Sequence, residues 1–169
     1  MKRLVIGLTI TVIVLVSCAT APTVARNIDV QIKSETNSGM AEIGVIPTWR
    51  EKSLFSAEGY SSFHGSFKNM TDKIVRIVWE KSYISYNGTS STIFLEGQKY
   101  INASEPMSPT VIPAKGSVEK DMFSASQPYF VSGKFGGWRM TNIPAQDVII
   151  VLCIESGGQE DYYTISVSQ

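Results

Sequence analysis

His64 limits the acid–base chemistry of this chain, because it is the single histidine among 169 residues. Any serine or cysteine nucleophile that relies on a histidine base would have to use it. Phe63 and Phe67 alternate with it, which predicts a strand whose apolar face is buried and whose other face, carrying His64, is solvated. We therefore expect a surface histidine and assign no catalytic residue.

The acidic side chains offer no metal-binding pattern, since most stand alone and the closest groups are Glu119 with Asp121 and Glu160 with Asp161. A zinc site needs further histidines or a cysteine pair, and a calcium loop needs oxygen ligands at alternating positions around a glycine. We expect no metal and no cofactor. Two distant carboxylates could still be brought together by folding, so a hydrolase or carbohydrate-active site remains an alternative.

The most aromatic loop of the sequence surrounds a glycine-rich stretch, residues 133–139. A phosphate-binding loop would need glycines at fixed offsets before a helix, whereas the residues that follow favour a strand. Four rings lie in or beside this stretch: Tyr129, Phe130, Phe135 and Trp138. The sequence favours core packing for them. If they are exposed, they form a binding patch, because such rings give large contact areas at low entropic cost.

Cys18 ends a segment with the three-part form of a secretory signal. Two basic residues precede 13 largely apolar ones, Leu4–Val16, and the small Ser17 stands before the cysteine. A membrane-spanning helix needs about 20 apolar residues, so this run is too short to span. We expect residues 1–17 to be cleaved as a signal peptide.

The stretch Leu15–Cys18 resembles the lipobox of bacterial membrane lipoproteins. The resemblance implies diacylglycerol on the sulfur of Cys18 and, in many species, an acyl chain on its new amino group. Several acyl chains make anchoring effectively permanent. Ala19 stands where an aspartate would retain an enteric-type lipoprotein at the inner membrane, so the outer membrane is favoured, on either face. An ordinary signal peptide, cut one or two residues away, is the alternative.

Cys153 lies in an apolar run, Val148–Ile154, where a cysteine usually behaves as a small buried hydrophobe. If Cys18 carries lipid, Cys153 has no intramolecular partner. A disulfide between the two cysteines is the competing interpretation. We expect an inert core thiol.

The charge balance argues against nucleic acid as a partner. Removal of residues 1–17 takes two of the 15 basic residues and none of the 15 acidic ones, which leaves a net charge of about −2. The remaining basic residues are scattered singly, whereas phosphate binding needs them clustered.

The chain after Cys18 divides into a tether and a domain. Residues 19–39 are small and polar with no sustained period, so we expect a flexible tether over residues 18–39 and a folded domain over residues 40–169. The alternation of Ile28, Val30 and Ile32 could instead form an edge strand.

Period-two patterns predict strands through most of the domain, with Trp79 at the centre of the core. The predicted strands are Ser62–Phe67, Ile74–Trp79, Tyr83–Tyr86, Thr92–Leu95, Ser117–Phe123, Gly133–Met140, Asp147–Glu155 and Tyr162–Val167. Asn87-Gly88 and residues 156–159 predict hairpin turns. Three prolines within residues 106–113 predict an irregular crossing, and a helix is allowed between residues 39 and 54.

Seven to nine short strands with such turns predict an all-β, antiparallel, immunoglobulin-like β-sandwich, with a small β-barrel as the alternative. Residues 65–72, the apolar strand after them, the Asn87-Gly88 turn and residues 112–116 resemble the immunoglobulin-like domains of bacterial envelope lipoproteins, including the FxLYD type. The resemblance covers about residues 60–125 and implies a sandwich in an envelope protein.

These observations predict a non-enzymatic binding or assembly module, anchored to the membrane through Cys18, that presents loops or an edge strand to an envelope protein. Besides the enzyme already mentioned, a carrier for a small ligand is an alternative. It would hold the ligand between its sheets, in a cavity lined by aromatic rings.

Overall fold

A computed structural model describes residues 27–52, 57–144 and 147–169, so the predicted signal peptide and Cys18 lie outside the described residues. The described part has eleven strands and one short 3-10 helix, Tyr100–Asn102. The strands are β1 Asp29–Ser34, β2 Ala41–Arg50, β3 Gly59–Asn69, β4 Val75–Tyr86, β5 Thr89–Leu95, β6 Thr110–Ile112, β7 Ser117–Ser124, β8 Pro128–Val131, β9 Gly137–Met140, β10 Val148–Ser156 and β11 Gln159–Ser168. Within these ranges no helix has the length and apolar character to cross a membrane.

Nine strands form one antiparallel sheet, in which eight follow the order β1-β11-β10-β4-β5-β7-β3-β2 and β6 pairs with β4. β5 joins the two halves of this sheet, because Thr89–Thr92 pairs with β4 and Ile93–Leu95 pairs with β7. The two terminal strands of the path, β1 and β2, lie next to each other. The predicted all-β, antiparallel class is confirmed, and this nearly closed arrangement fits a sandwich and a small barrel alike.

The core contains the side chains that the period-two sequence patterns predicted to point inward. Trp79 is 1% exposed, packs edge-on against Phe67 with ring centroids 6.3 Å apart, and donates a hydrogen bond from Nε1 to Thr110 Oγ1 at 2.9 Å. Its predicted place in the core is confirmed. The other side chains predicted to point inward are buried as well: Phe63, Val75, Ile77, Tyr163, Ile165 and Val167.

The first strand corrects the domain boundary. β1 pairs with β11 from Asp29 to Ser34, so the alternative of an edge strand is right and the expected tether ends before Asp29. Ile28 and Val30 pack against the core, and β11 satisfies the backbone groups of β1. This burial of apolar side chains offsets the entropy of ordering a polar segment.

A strand replaces the helix that the sequence allowed between residues 39 and 54, since Ala41–Arg50 forms β2. From Val45 to Arg50 the side chains alternate, since Val45 is buried and Pro47 and Trp49 are partly buried, while Ile46, Thr48 and Arg50 are exposed, which is the pattern of the two faces of a strand. Pro47 is tolerated because β2 is an edge strand, where a residue without an N–H can face outward.

Two short strands, β6 and β8, were not predicted from the sequence. Thr110–Ile112, within the proline-containing stretch, forms β6 and pairs with Val75–Ile77 of β4, so the predicted irregular crossing is wrong for these three residues. Pro128–Val131 forms β8 and pairs with β9.

β4 is one continuous strand, Val75–Tyr86, where the sequence predicted two strands, Ile74–Trp79 and Tyr83–Tyr86. A β-bulge carries the strand across the residues between them. Its register with β10 shifts between Val151 and Cys153. The buried hydroxyl of Ser82 spans the shift: it accepts the Cys153 N–H at 3.0 Å and donates to the Val78 carbonyl at 2.8 Å. The backbone groups that the bulge would leave unpaired are thus satisfied by a side chain.

Asn69, at the end of β3, joins the two turns that carried the family resemblance. Its side chain is fully buried. Nδ2 donates to the carbonyls of Lys73 at 2.7 Å, Pro113 at 2.9 Å and Ile112 at 3.1 Å. Oδ1 accepts from the N–H and the hydroxyl of Thr71 at 2.8 and 2.9 Å. One side chain therefore fixes the β3–β4 and β6–β7 turns together.

Asp161 holds the segment between β1 and β2. Its carboxylate is fully buried and accepts hydrogen bonds from the hydroxyl groups of Ser34 and Ser38 and from the Thr36 N–H. Burial alone would raise the pKa of this group, but the bonds from Ser38, Ser34 and Thr36 outweigh it and lower the pKa to about 2. The ionised carboxylate therefore stabilises the folded state.

We expect the contribution of Asp161 to disappear in acid. A lowered folded-state pKa means that this contribution is complete above the ordinary value of 3.8 and is lost as the pH falls towards about 2. The loss amounts to about 2 kcal/mol in the free energy of unfolding. Denaturant unfolding across this range should show the loss in the wild-type protein and not in Asp161→Asn. Parallel profiles for the two proteins would contradict the assignment.

Candidate functional site

β8 and β9 form a two-stranded hairpin outside the main sheet, with Phe130 opposite Trp138. All four residues of the predicted patch are exposed: Tyr129 by 38%, Phe130 by 62%, Phe135 by 83% and Trp138 by 41%. Core packing, which the sequence favoured, is wrong for these rings because the hairpin lies outside the sheet that encloses the core. The sequence analysis predicted a binding patch if these rings are exposed, and they are. Binding itself stays a prediction.

Side chains from a distant loop extend this surface. Tyr100 and Ile101 of the 3-10 helix are exposed, and the Tyr100 ring lies edge-on to Trp138 with centroids 6.5 Å apart. We call the exposed side chains together the aromatic patch: Tyr100, Ile101, Tyr129, Phe130, Val131, Phe135 and Trp138. Tyr100 and Ile101 could not be predicted as part of this surface, because they precede the hairpin by about 30 residues and only the fold brings them there.

A continuous series of ring contacts links the aromatic patch to the body of the domain. Trp138 contacts Phe130 at 5.7 Å between centroids, and Tyr100 contacts the buried Phe94 at 6.2 Å. Phe94 stacks on Phe123 at 5.1 Å. The rings therefore rest on packed neighbours, which lowers the entropy lost when a ligand binds.

Gln127 fixes the base of the hairpin. It is 1% exposed, and its Nε2 donates to the carbonyls of Ser61 and Thr141 at 3.1 and 3.0 Å. Its Oε1 accepts the Ser124 N–H at 2.8 Å. A single buried amide thus connects β3, the end of β7 and the strand leaving the hairpin.

A second attachment lies just after β9. Tyr60 and Ile143 exchange two backbone hydrogen bonds, at 3.1 and 2.8 Å. Asn142 donates from Nδ2 to the Ala57 carbonyl at 2.7 Å. With both sides of its base fixed, the hairpin presents a preorganised surface.

A cleft of about 670 Å³ adjoins the hairpin base on the outer face of β3, β5 and β7. Phe94, Tyr100 and Phe123 provide apolar walls. Its polar lining includes Arg50, Ser62, Glu96, Gln98, Asp121 and Asn142. Apolar walls with a few polar groups are typical of ligand-binding sites.

His64 lies near this cleft and pairs with carboxylates. Its Nδ1 is 2.9 Å from Asp121 Oδ1, and its Nε2 is 3.9 Å from Glu119 Oε2. The side chain is 38% exposed, which agrees with the predicted solvated face. Both ring nitrogens face carboxylates, so neither is directed at a serine or cysteine.

Cys153 is a free thiol at the centre of β10 and is fully buried, so its predicted place in the core is confirmed. Burial raises the pKa of the thiol. A raised pKa lowers the fraction of the thiolate, which is the nucleophilic form. The environment of Cys153 therefore disfavours catalysis by this residue.

Among residues 27–52, 57–144 and 147–169, no group of three or more histidine, cysteine, aspartate and glutamate side chains could hold a metal ion.

No protein-family model matches the chain, and no curated protein is similar to it. A solved structure with some likeness is described as the X-ray structure of Northeast Structural Genomics Consortium target SoR45. It aligns with a TM-score of 0.38 and 14% identity, over 76% of this chain and 83% of that one. A likeness of this degree carries no inference about function.

Proposed function

We propose that this chain is a lipid-anchored binding module of the bacterial cell envelope and performs no catalysis. One observation carries the binding role: a set of exposed apolar side chains, the aromatic patch, lies on the β8–β9 hairpin and the adjacent 3-10 helix, beside a cleft. Exposed contiguous apolar side chains in a folded domain mark interaction surfaces.

The anchor is supported by the sequence of residues 1–18. The basic start, the short apolar run and the Leu15–Cys18 stretch assign diacylglycerol to the Cys18 sulfur. By the same resemblance, Ala19 favours the outer membrane. The first strand begins at Asp29, eleven residues after Cys18, so a lipid on Cys18 would hold the domain close to the lipid surface.

An envelope protein is the partner that we propose for the cleft. Phe94, Tyr100 and Phe123 would contact an apolar side chain of the partner, and Arg50 and Asp121 could pair with its polar groups. An apolar centre with a polar rim is the usual anatomy of a protein interface. The environments of His64 and Cys153 favour this role over that of an enzyme.

A small ligand is the second candidate, because the cleft is concave and combines rings with polar groups. Phe123 and Asp121 line it, whereas Met122 between them points into the core. The ligand would thus bind on the outer face of the sheet. The sequence analysis had instead predicted a ligand between the sheets. Native mass spectrometry of the purified protein should show a bound mass if this role is the right one.

The test of the proposed function places a photo-crosslinking amino acid at Gln98, on the rim of the cleft. In living cells we expect one protein adduct in the membrane fraction, together with incorporation of labelled palmitate. In Cys18→Ala the palmitate should disappear and the uncut precursor should accumulate, because the lipobox cysteine accepts the lipid.

The matched control places the same crosslinker at Lys33, an exposed residue of β1 remote from the cleft, where no adduct is expected. Equal adducts at both positions, or none at Gln98, would refute a protein partner in the cleft. Unchanged palmitate in Cys18→Ala would refute the anchor.

A further inference from the structure

The hairpin and the start of the domain lie at the same end of the sheet. Asp29, the first residue of β1, pairs with Ser168 of β11. In the next two strands, Val148 of β10 and Ser85 of β4 lie at this same end of the sheet. The neighbouring Tyr86 reaches the hairpin base, where its hydroxyl lies 2.8 Å from Ser126 Oγ. β1, β11, β10 and β4 are successive neighbours, so about 15 Å of sheet separates β1 from Tyr86, whose side chain reaches the hairpin base.

The chain before β1 limits how far this end can be from the membrane. Residues 19–26 separate Cys18 from Asn27, the first described residue. Nine residue steps span at most about 32 Å even when fully extended. A lipid on Cys18 therefore keeps the hairpin end of the domain within a few nanometres of the bilayer surface.

The hairpin carries the chemistry of a membrane interface. Residues 127–140 include Lys134 and Arg139 and no aspartate or glutamate, although the whole chain is neutral. Lys134 Nζ lies 5.8 Å from the centroid of the Phe135 ring, so charge and apolar surface are adjacent. Tryptophan and tyrosine favour the headgroup level of a bilayer, and basic side chains are attracted to anionic lipids.

We propose that the β8–β9 hairpin is a second membrane contact, which places Phe130, Phe135 and Trp138 in the interface of an anionic bilayer. That the hairpin lies near the bilayer rests on the lipid anchor of the proposed function. That the hairpin binds the bilayer depends on its own side chains. Two attachments fix the orientation of the domain, while a tether alone leaves it free to rotate. The cleft, next to the hairpin base, is then presented close to the membrane surface.

The experiment uses the full mature protein with its lipid, reconstituted into vesicles of phosphatidylethanolamine and phosphatidylglycerol with brominated acyl chains. Bromine quenches tryptophan only at short range. Of the three tryptophans, Trp138 lies on the hairpin and Trp79 in the core. We expect brominated lipid to quench roughly a third of the emission, in proportion to one ring of three. Trp138→Phe should remove this quenching.

Two further variants separate the apolar and electrostatic parts. Phe130→Ser with Phe135→Ser should lower the quenching of Trp138 at least about threefold, because less apolar surface enters the interface. Lys134→Glu should lower it in anionic vesicles only. These side chains are exposed, so circular dichroism should show an unchanged fold.

Flotation distinguishes the two proposals. A protein that fails to float with the vesicles refutes the lipid anchor. A protein that floats, but in which the wild type and Trp138→Phe are quenched equally, refutes the hairpin contact and leaves the anchor intact. A crosslinker at Phe135 that captures a protein in place of lipid also overturns the proposal, and assigns the aromatic patch to a protein partner.

Discussion

Replacing Asn69 by alanine should lower the free energy of unfolding by roughly 3–5 kcal/mol. The amide is fully buried and donates to the carbonyls of Lys73, Ile112 and Pro113, while its oxygen accepts from Thr71. Alanine removes all of these bonds and leaves backbone groups of two turns without their partner. Each buried polar group that loses its partner costs about 1–3 kcal/mol. Urea unfolding followed by fluorescence measures the effect.

Asn102→Ala provides the control, because this asparagine is half-exposed in the 3-10 helix. We expect a change within about 0.5 kcal/mol there. Asn69→Asp keeps acceptors for Thr71 but places a carboxylate against three carbonyl oxygens, so it should be no more stable than the alanine variant at neutral pH. A loss below about 1 kcal/mol in Asn69→Ala would show that water replaces the amide at this junction.

Replacing Gly59 by alanine should cost at least about 3 kcal/mol and detach the base of the hairpin. Gly59 has a φ of +151°, and an added Cβ would lie 2.1 Å from the Ile143 carbonyl oxygen. This oxygen accepts the Tyr60 N–H, so relief of the clash must break the bridge between β3 and the segment after β9. Hydrogen exchange at Tyr60 and Ile143 should become faster along with the loss of stability.

Gly137→Ala is matched to this variant in φ. Its φ is +146°, but no atom lies within 4 Å of the added Cβ. The cost there should be limited to backbone strain, about 1–3 kcal/mol. Equal losses in the two variants would mean that backbone strain, and not the contact with Ile143, determines the effect at Gly59.

Several of the strands that were predicted from the sequence have side chains that alternate clearly between apolar and polar, whereas β10 was predicted from a continuous apolar run. β3, the first half of β4 and β11 were predicted from alternations such as Phe63, Gly65 and Phe67, and their inward residues are buried. The Asn87-Gly88 turn was also predicted, since both residues have the positive φ values that this pair favours. In such elements local pattern and tertiary burial agree.

Two features that were not predicted, β6 and the continuous course of β4, depend on partners that are remote in the chain. β6 is three residues long and exists because β4 offers it a ladder. β4 continues as a single 12-residue strand through its polar middle because the Ser82 hydroxyl hydrogen-bonds the backbone groups at the bulge. Neither fact can be seen in a short sequence window, since the stabilising groups lie elsewhere.

The candidate site was predicted in part for the same reason. The four rings of the hairpin were recognised as a possible patch, but their exposure could not be, because residue type alone does not distinguish a core ring from a surface ring. Tyr100, Gln127 and the residues of the cleft converge only in the folded domain. Cys18 and the segment before it were interpreted by resemblance and stay predictions, since they lie outside the described residues.

The pairing of β1 with β11 has a consequence for biosynthesis. Asp29 meets Ser168, which lies 139 residues later in the chain, so β1 has no partner until β11 has been made. A nascent chain leaving the ribosome therefore cannot complete the sheet, and contacts of such large sequence separation also form slowly. If the chain is exported unfolded, this delay would keep the sheet incomplete until β11 has been made.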